Sequence, residues 1–193
     1  MTLRILSAHD IRQALPMSAA IEGMKEAFAQ LSSGQADVPL RARVNVPKQE
    51  GVALFMPAYM TGSDDLAVKI VSVFPKNVHK GEPIIYASVL VLDESSGRPL
   101  ALLEGGSLTA IRTGAGGGAS ADILARPESK IVAMLGSGVQ ARTGLEAVCT
   151  VRHIEEVRVY SPTPANTAAF AAEMAGYGPI PTNIQVVDSP SAA

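Results

Sequence analysis

Two sets of residues in this chain have types and spacings that can do chemistry: one glycine-rich turn, and a few basic side chains in apolar surroundings. The turn is Leu135-Gly136-Ser137-Gly138-Val139-Gln140-Ala141. Gly136 permits a tight turn, Gly138 lets backbone amides approach a phosphate, and Ala141 stands where a third small residue keeps helix and strand close. Upstream, the apolar run from Lys130 to Leu135 predicts a strand buried on both faces. Downstream, Ala141, Leu145, Val148 and Cys149 recur at i, i+4, i+7 and i+8, one stripe of a helix. Strand, turn and helix in this order form the dinucleotide fingerprint, with N–H groups at the helix N-terminus facing a pyrophosphate. A turn that merely connects two elements is the plainer alternative. The next strand, Glu156 to Tyr160, ends just before Ser161, where an acid would accept the ribose 2′-OH of NAD. Serine removes the charge that repels a 2′-phosphate, but no Arg or Lys follows to pair with one. NADP is therefore expected to serve at least as well as NAD.

The basic residues suit an anionic substrate. Lys69 lies in the middle of the apolar run Leu66 to Phe74. There it either protects an edge strand or aims a charge into a pocket, where it binds a carboxylate or polarises a carbonyl. Arg112, in Leu108-Thr109-Ala110-Ile111-Arg112-Thr113, lies beside an apolar helical stripe and reads equally as a solvated residue. Arg41 and Arg43 alternate on one strand face, a placement suited to bidentate binding of a carboxylate. His9, His79 and His153 have no metal-ligand spacing and read as surface or loop residues. Cys149, the one cysteine, reads as a small core residue on its helical stripe.

These residues need elements to position them. The 193 residues suffice for one large domain or two small ones with an ample core. A short strand from Leu3 to Leu6 is followed by Ser7 as N-cap, with Asp10 three residues on, and Pro16 ends that helix. Ile21, Met24, Phe28 and Leu31 mark the buried face of a second helix, which Gly34 terminates. Strands are then expected at 40–46, 52–56, 66–74, 84–92 and 98–103, with Glu94-Ser95-Ser96-Gly97 as a hairpin connection. A helix from Ser107 to Leu124 carries Gly114, Gly116, Gly117 and Gly118, which calls for the close approach of another helix or a ligand. The fold class is α/β: an α+β domain over 1–125 with a mostly antiparallel sheet, then the first half of a nucleotide-binding domain over 126–193. Hydrophobic content of 47 %, charged content of 18 % and a net charge of −2 give no basic excess for nucleic acid or an acidic membrane surface. No apolar run is long enough to span a bilayer, and the N-terminus lacks a signal-peptide pattern. A soluble, cytoplasmic protein is expected.

Several segments occur in one order: Val38-Pro39-Leu40-Arg41, Leu54-Phe55-Met56-Pro57-Ala58-Tyr59, Ala67-Val68-Lys69, Leu102-Leu103-Glu104-Gly105, Thr109-Ala110-Ile111-Arg112-Thr113-Gly114-Ala115 and Gly136-Ser137-Gly138-Val139-Gln140-Ala141. The series resembles the ornithine cyclodeaminase/mu-crystallin family from end to end of the chain. The resemblance implies a homodimer in which a substrate and dimerisation domain is joined to a Rossmann domain. It implies hydride transfer between NAD(P) and a small amino or imino acid, by a cyclodeaminase, a ketimine or pyrroline-2-carboxylate reductase, or an alanine dehydrogenase. Carried over by position, Arg41, Lys69 and Arg112 hold the substrate carboxylate, with Arg43 as second choice for the first, and Lys69 and Arg112 carry catalysis. Arg112, Thr113, Gly136, Gly138, Val139, Gln140 and Ser161 match cofactor contacts, and Met56 sits at a Met-Pro turn. The family's proton-handling acid lies on a later Rossmann strand, beyond Ala193. The chain is therefore expected to be an N-terminal portion that is inactive by itself. A non-catalytic NADP-binding protein of the crystallin kind is the alternative.

Overall fold

In the computed structural model, which describes residues 2–193, Ser7 both ends the first strand and starts the first helix. The strand is β1 (Arg4–Leu6) and the helix α1 (Ala8–Ala14). The Ser7 side chain accepts from the Asp10 N–H while the Asp10 carboxylate accepts from the Ser7 N–H, the expected capping box. Helix α2 (Met17–Ser32) follows Pro16. Backbone contacts divide the chain into two units, one with residues up to Leu15 and Glu26–Thr109, the other with Pro16–Lys25 and Ala110–Ala193.

The first unit is built on one mixed sheet. Its strands are β1, β2 (Ala36–Asp37), β3 (Ala42–Val46), β4 (Gly51–Met60), β5 (Asp65–Val73), β6 (Ile85–Leu92) and β7 (Pro99–Glu104). They lie in the order β1-β7-β6-β5-β4-β2, with β3 also on β4. Only β1 on β7 is parallel, as consecutive hairpins require for the others. Lys69 is therefore not an edge lysine, because β5 is paired on both sides. Two further expectations change. Met56-Pro57 is not a turn but the middle of β4, and Pro57 falls where neither β2 nor β3 pairs with that strand. A missing N–H costs least at such a gap. Strand β3 starts at Ala42, so Arg41 precedes it rather than sharing its face with Arg43.

Along α2 the buried residues are Met17, Ala20 and Ile21 on one face and Gln30 on the opposite one, while Phe28 and Leu31, on the face of Ile21, are exposed, contrary to expectation. Gln30 takes the inward position because its Oε1 accepts the Gly62 N–H at 3.2 Å in the β4–β5 turn. A backbone donor left without an acceptor would be costly, which favours the inward Gln30.

The second unit holds helix α3 (Gly105–Leu124) from Ala110 onward, then β8 (Ile131–Leu135), α4 (Val139–Val151), β9 (Glu156–Tyr160), α5 (Pro164–Met174) and β10 (Ile184–Val186). The three strands are parallel in the order β10-β9-β8, a Rossmann-like arrangement. Leu145, Val157, Val159 and Phe170 are fully buried and form its core, with Cys149 beside them. Burial pushes the Cys149 thiol up to about 11, consistent with a core role. Strand β8 is buried on one face only. Val132 and Met134 face the core while Ile131 and Leu135 are exposed. Two of the glycines of α3 are explained by helix packing: a Cβ on Gly118 would lie 2.9 Å from both Ala147 and Ile21, and one on Gly114 would overlap the Thr143 backbone, whereas one on Gly117 would meet nothing within 4 Å.

Candidate active site

Sheet register puts Lys69 on a defined face. It lies opposite Met56 on β4 and Val89 on β6, and that row continues to Leu103 and Leu6. Directly opposed residues share a face, so Lys69, Met56, Val89, Leu103 and Leu6 project together. The adjacent row on this face is Arg43, Leu54, Val71 and Ala87. Arg43 is thus brought to the face of Lys69, where its Nε donates to Asn45 Oδ1 at 2.9 Å. Arg41 is exposed, just before β3.

The half-buried Lys69 ammonium donates to Thr109 Oγ1 at 2.7 Å, and the Thr109 hydroxyl donates to the Gly105 carbonyl at 2.5 Å. The chain of two bonds holds the ammonium at the first turns of α3. Gly105 lets that helix start against β6, because a Cβ there would lie 2.5 Å from the Ala87 carbonyl carbon. Glu104 caps it, accepting the N–H groups of Gly106 at 2.5 Å and Ser107 at 2.8 Å. An ammonium so held binds a carboxylate or stabilises developing negative charge.

The cap has a measurable pH signature. Burial raises the Glu104 pKa, but the hydrogen bonds from Ser107 and Gly106 outweigh it, and the carboxyl lies below its ordinary 4.5. A depressed folded pKa adds stability above the unfolded value and loses it as pH falls through the folded one. Glu104→Ala is therefore expected to cost about 1 kcal/mol at pH 7. Urea midpoints of variant and wild type should converge below the ordinary glutamate range. A gap of the same size at low pH would remove the charged cap from the account.

Arg112 and Thr113 are exposed on α3, three and four residues beyond Thr109. Positions i and i+3 are neighbours on a helix surface, so Arg112 follows Thr109 one turn along. Among the described residues Arg112 has no ion-pair partner.

The glycine-rich turn has the geometry its sequence called for. Gly136 has φ +115°, a region L side chains rarely adopt, and its N–H donates to the Tyr160 carbonyl at 2.7 Å, tying the turn to β9. Gly138 is the N-cap of α4 and makes no side-chain cap bond. The first N–H groups of α4, from Val139 and Gln140, thus lack intrahelical acceptors. A Cβ built at Gly136 or Gly138 meets nothing within 4 Å, so no other side chain crowds the turn at these two positions. A dinucleotide pyrophosphate fits this donor set. Ser161 follows β9 directly, half-buried, at the position expected for ribose recognition. Among the described residues no group of three His, Cys, Asp or Glu could hold a metal ion, and no helix is long and apolar enough to cross a membrane.

Sequence reasoning missed Glu104 and Thr109 as positioning groups, and Arg142 with them. Glu104 was within reach, since an acid just before a helix start is a cap signal. Placing that start at Ser107 rather than Gly105 concealed it.

The fold recurs in known proteins. A solved structure of Thermococcus litoralis Δ1-pyrroline-2-carboxylate reductase, in complex with NADH and L-proline, matches with TM-score 0.87 and 46 % identity over 96 % of this chain and 57 % of that one. An archaeal alanine dehydrogenase dimer with bound NAD matches with TM-score 0.88 and 30 % identity, over 100 % of this chain and 58 % of that one. Among curated relatives, Δ1-pyrroline-2-carboxylate reductase of Bacillus cereus is 38 % identical over 167 residues, 86 % of this chain and 51 % of the relative. The chain spans about half the length of the curated relatives it matches. The ornithine cyclodeaminase/mu-crystallin family model matches residues 1–193, and the chain belongs to that NAD(P)-dependent family.

Proposed function

We propose that the full-length protein is an NAD(P)-dependent oxidoreductase that reduces a small cyclic imino acid of the pyrroline-2-carboxylate type, or works on the corresponding amino acid. The observation that carries this is Lys69: its ammonium sits on an interior strand and is held by Thr109 at the start of the helix bearing Arg112. The likeness to a reductase in complex with NADH and L-proline supports the substrate class. In this reading Arg41, Lys69 and Arg112 hold the substrate carboxylate, and residues 1–125 serve substrate binding and dimerisation. Residues 126–193 hold the cofactor through Gly136, Gly138, Val139, Gln140 and Ser161, with Arg112 and Thr113 reaching it from α3. The bound nicotinamide supplies the hydride. The chain's own part is to fix the carboxylate, so that the C=N carbon presents one face, and to draw electron density from that carbon by its positive charges.

A homodimer belongs to the same proposal. The sheet face opposite Lys69 exposes Ile5, Val44, Phe55, Ile70 and Tyr86, an apolar surface suited to a second copy. The test of function is NAD(P)H consumption by the full-length protein with pyrroline-2-carboxylate and piperideine-2-carboxylate, NAD(P)H formation with alanine, and ammonia release with ornithine and lysine, whose cyclodeamination returns the hydride to the product. Cofactor binding without turnover on any of these would favour the non-catalytic alternative. Cofactor choice has its own test. Ser161 carries no charge to repel a 2′-phosphate, so NADPH is expected to be used at least as well as NADH. Ser161→Asp should shift the ratio of kcat/KM values toward NADH by about tenfold, as a like charge does near a phosphate. A strong NADH preference in the wild type would count against this assignment.

A further inference from the structure

Arg142 lies on α4 just past the glycine-rich turn, and its side chain folds back onto it. Its Nη1 donates to the carbonyl oxygens of Ser137 at 2.8 Å and of Gly138 at 3.1 Å. The rest of the guanidinium is held by α5. Nε donates to the Glu173 carboxylate at 2.9 and 3.0 Å, and Nη2 to the same group at 2.5 Å. The guanidinium carbon is 5.4 Å from the centroid of the fully buried Phe170 ring.

Peptide units are planar, and none here is cis. A carbonyl held toward the guanidinium therefore turns the following N–H the opposite way. Holding the Ser137 carbonyl aims the Gly138 N–H, and holding the Gly138 carbonyl aims the Val139 N–H. With glycine at 136 and 138, the turn has little stiffness of its own.

We propose that Arg142, anchored by Glu173 and Phe170, is a positioning residue that pre-orients the Gly138 and Val139 N–H groups for the pyrophosphate of the dinucleotide. The inference rests on the cofactor reading above and adds to it a side chain that reaches the cofactor only through the backbone. It also explains why an arginine with five donors suits this place: a lysine cannot span two carbonyls and a carboxylate.

Equilibrium binding of NADH alone to the full-length protein, read by nucleotide fluorescence, tests it. Arg142→Met is expected to weaken NADH binding about tenfold and Arg142→Lys about fivefold, with kcat and substrate KM at saturating NADH unchanged within about twofold. Glu173→Leu separates positioning from simple charge. Loss of the anchor should weaken NADH binding about threefold, whereas removal of a nearby carboxylate would tighten it if Arg142 acted by charge alone. NADH affinity within about twofold of wild type in Arg142→Met, or unchanged or tighter binding in Glu173→Leu, overturns the proposal. If Arg142→Met fails to fold, Glu173→Leu, at a half-exposed position, decides by the same outcomes. A folded wild type that binds no NADH would overturn the cofactor reading itself.

Discussion

Lys69→Met and Arg112→Met are each expected to lower kcat/KM for the imino acid by about 2–5 kcal/mol of transition-state stabilisation, roughly 30- to 5,000-fold. The substrate carboxylate would keep its charge but lose one of its cationic partners in a partly desolvated site, which is what makes the loss large. Met approximates the length of the lysine stem, so packing against Met56 and Val89 should survive, and Lys69 is only half-buried. The loss should therefore appear in activity and not in the melting temperature. Lys69→Met should leave NADH affinity nearly unchanged, whereas Arg112→Met should weaken both activity and NADH affinity if Arg112 also reaches the cofactor. Thr109→Val, which removes one acceptor of the Lys69 ammonium, should produce a smaller loss that Thr109→Ser restores. Wild-type kcat/KM in both methionine variants would remove the clamp from the mechanism.

Two glycines of one helix should respond to alanine with opposite signs. Alanine gains about 1 kcal/mol over glycine in a helix interior. At Gly117 a new Cβ meets nothing within 4 Å, so Gly117→Ala should stabilise the protein by nearly that amount. At Gly114 the same Cβ would overlap the carbonyl of Thr143 on α4, and backbone cannot move aside as the end of a side chain can. Gly114→Ala should therefore destabilise by about 1–3 kcal/mol, the clash exceeding the gain in propensity. Gly118 is intermediate, since its neighbours are the side chains of Ala147 and Ile21. Denaturant melts of the two alanine variants decide it. Equal shifts of one sign at positions 114 and 117 would mean that α3 and α4 do not pack as closely as described.

The sequence by itself determined the parts of this protein that depend on local chemistry. The Ser7–Asp10 capping box, the hairpin after Asp93, the glycine-rich turn between β8 and α4, and the stripe of Leu145 and Cys149 were legible because caps, turns and periodicities act over a few residues. The family was legible because its motifs keep their order along the chain. Tertiary structure decided the rest. Whether Lys69 guards an edge or sits inside a sheet depends on which strands flank β5, and pairing between distant segments leaves no trace in a nine-residue window. The burial of Gln30 depends on the Gly62 amide that it accepts, more than thirty residues away. Nothing in the spacing singles out Arg142, whose partners Glu173 and Phe170 are brought to it by α5. A side chain's partners are set by what the fold brings within reach of its tip, and for long charged residues that reach crosses elements which sequence spacing cannot relate.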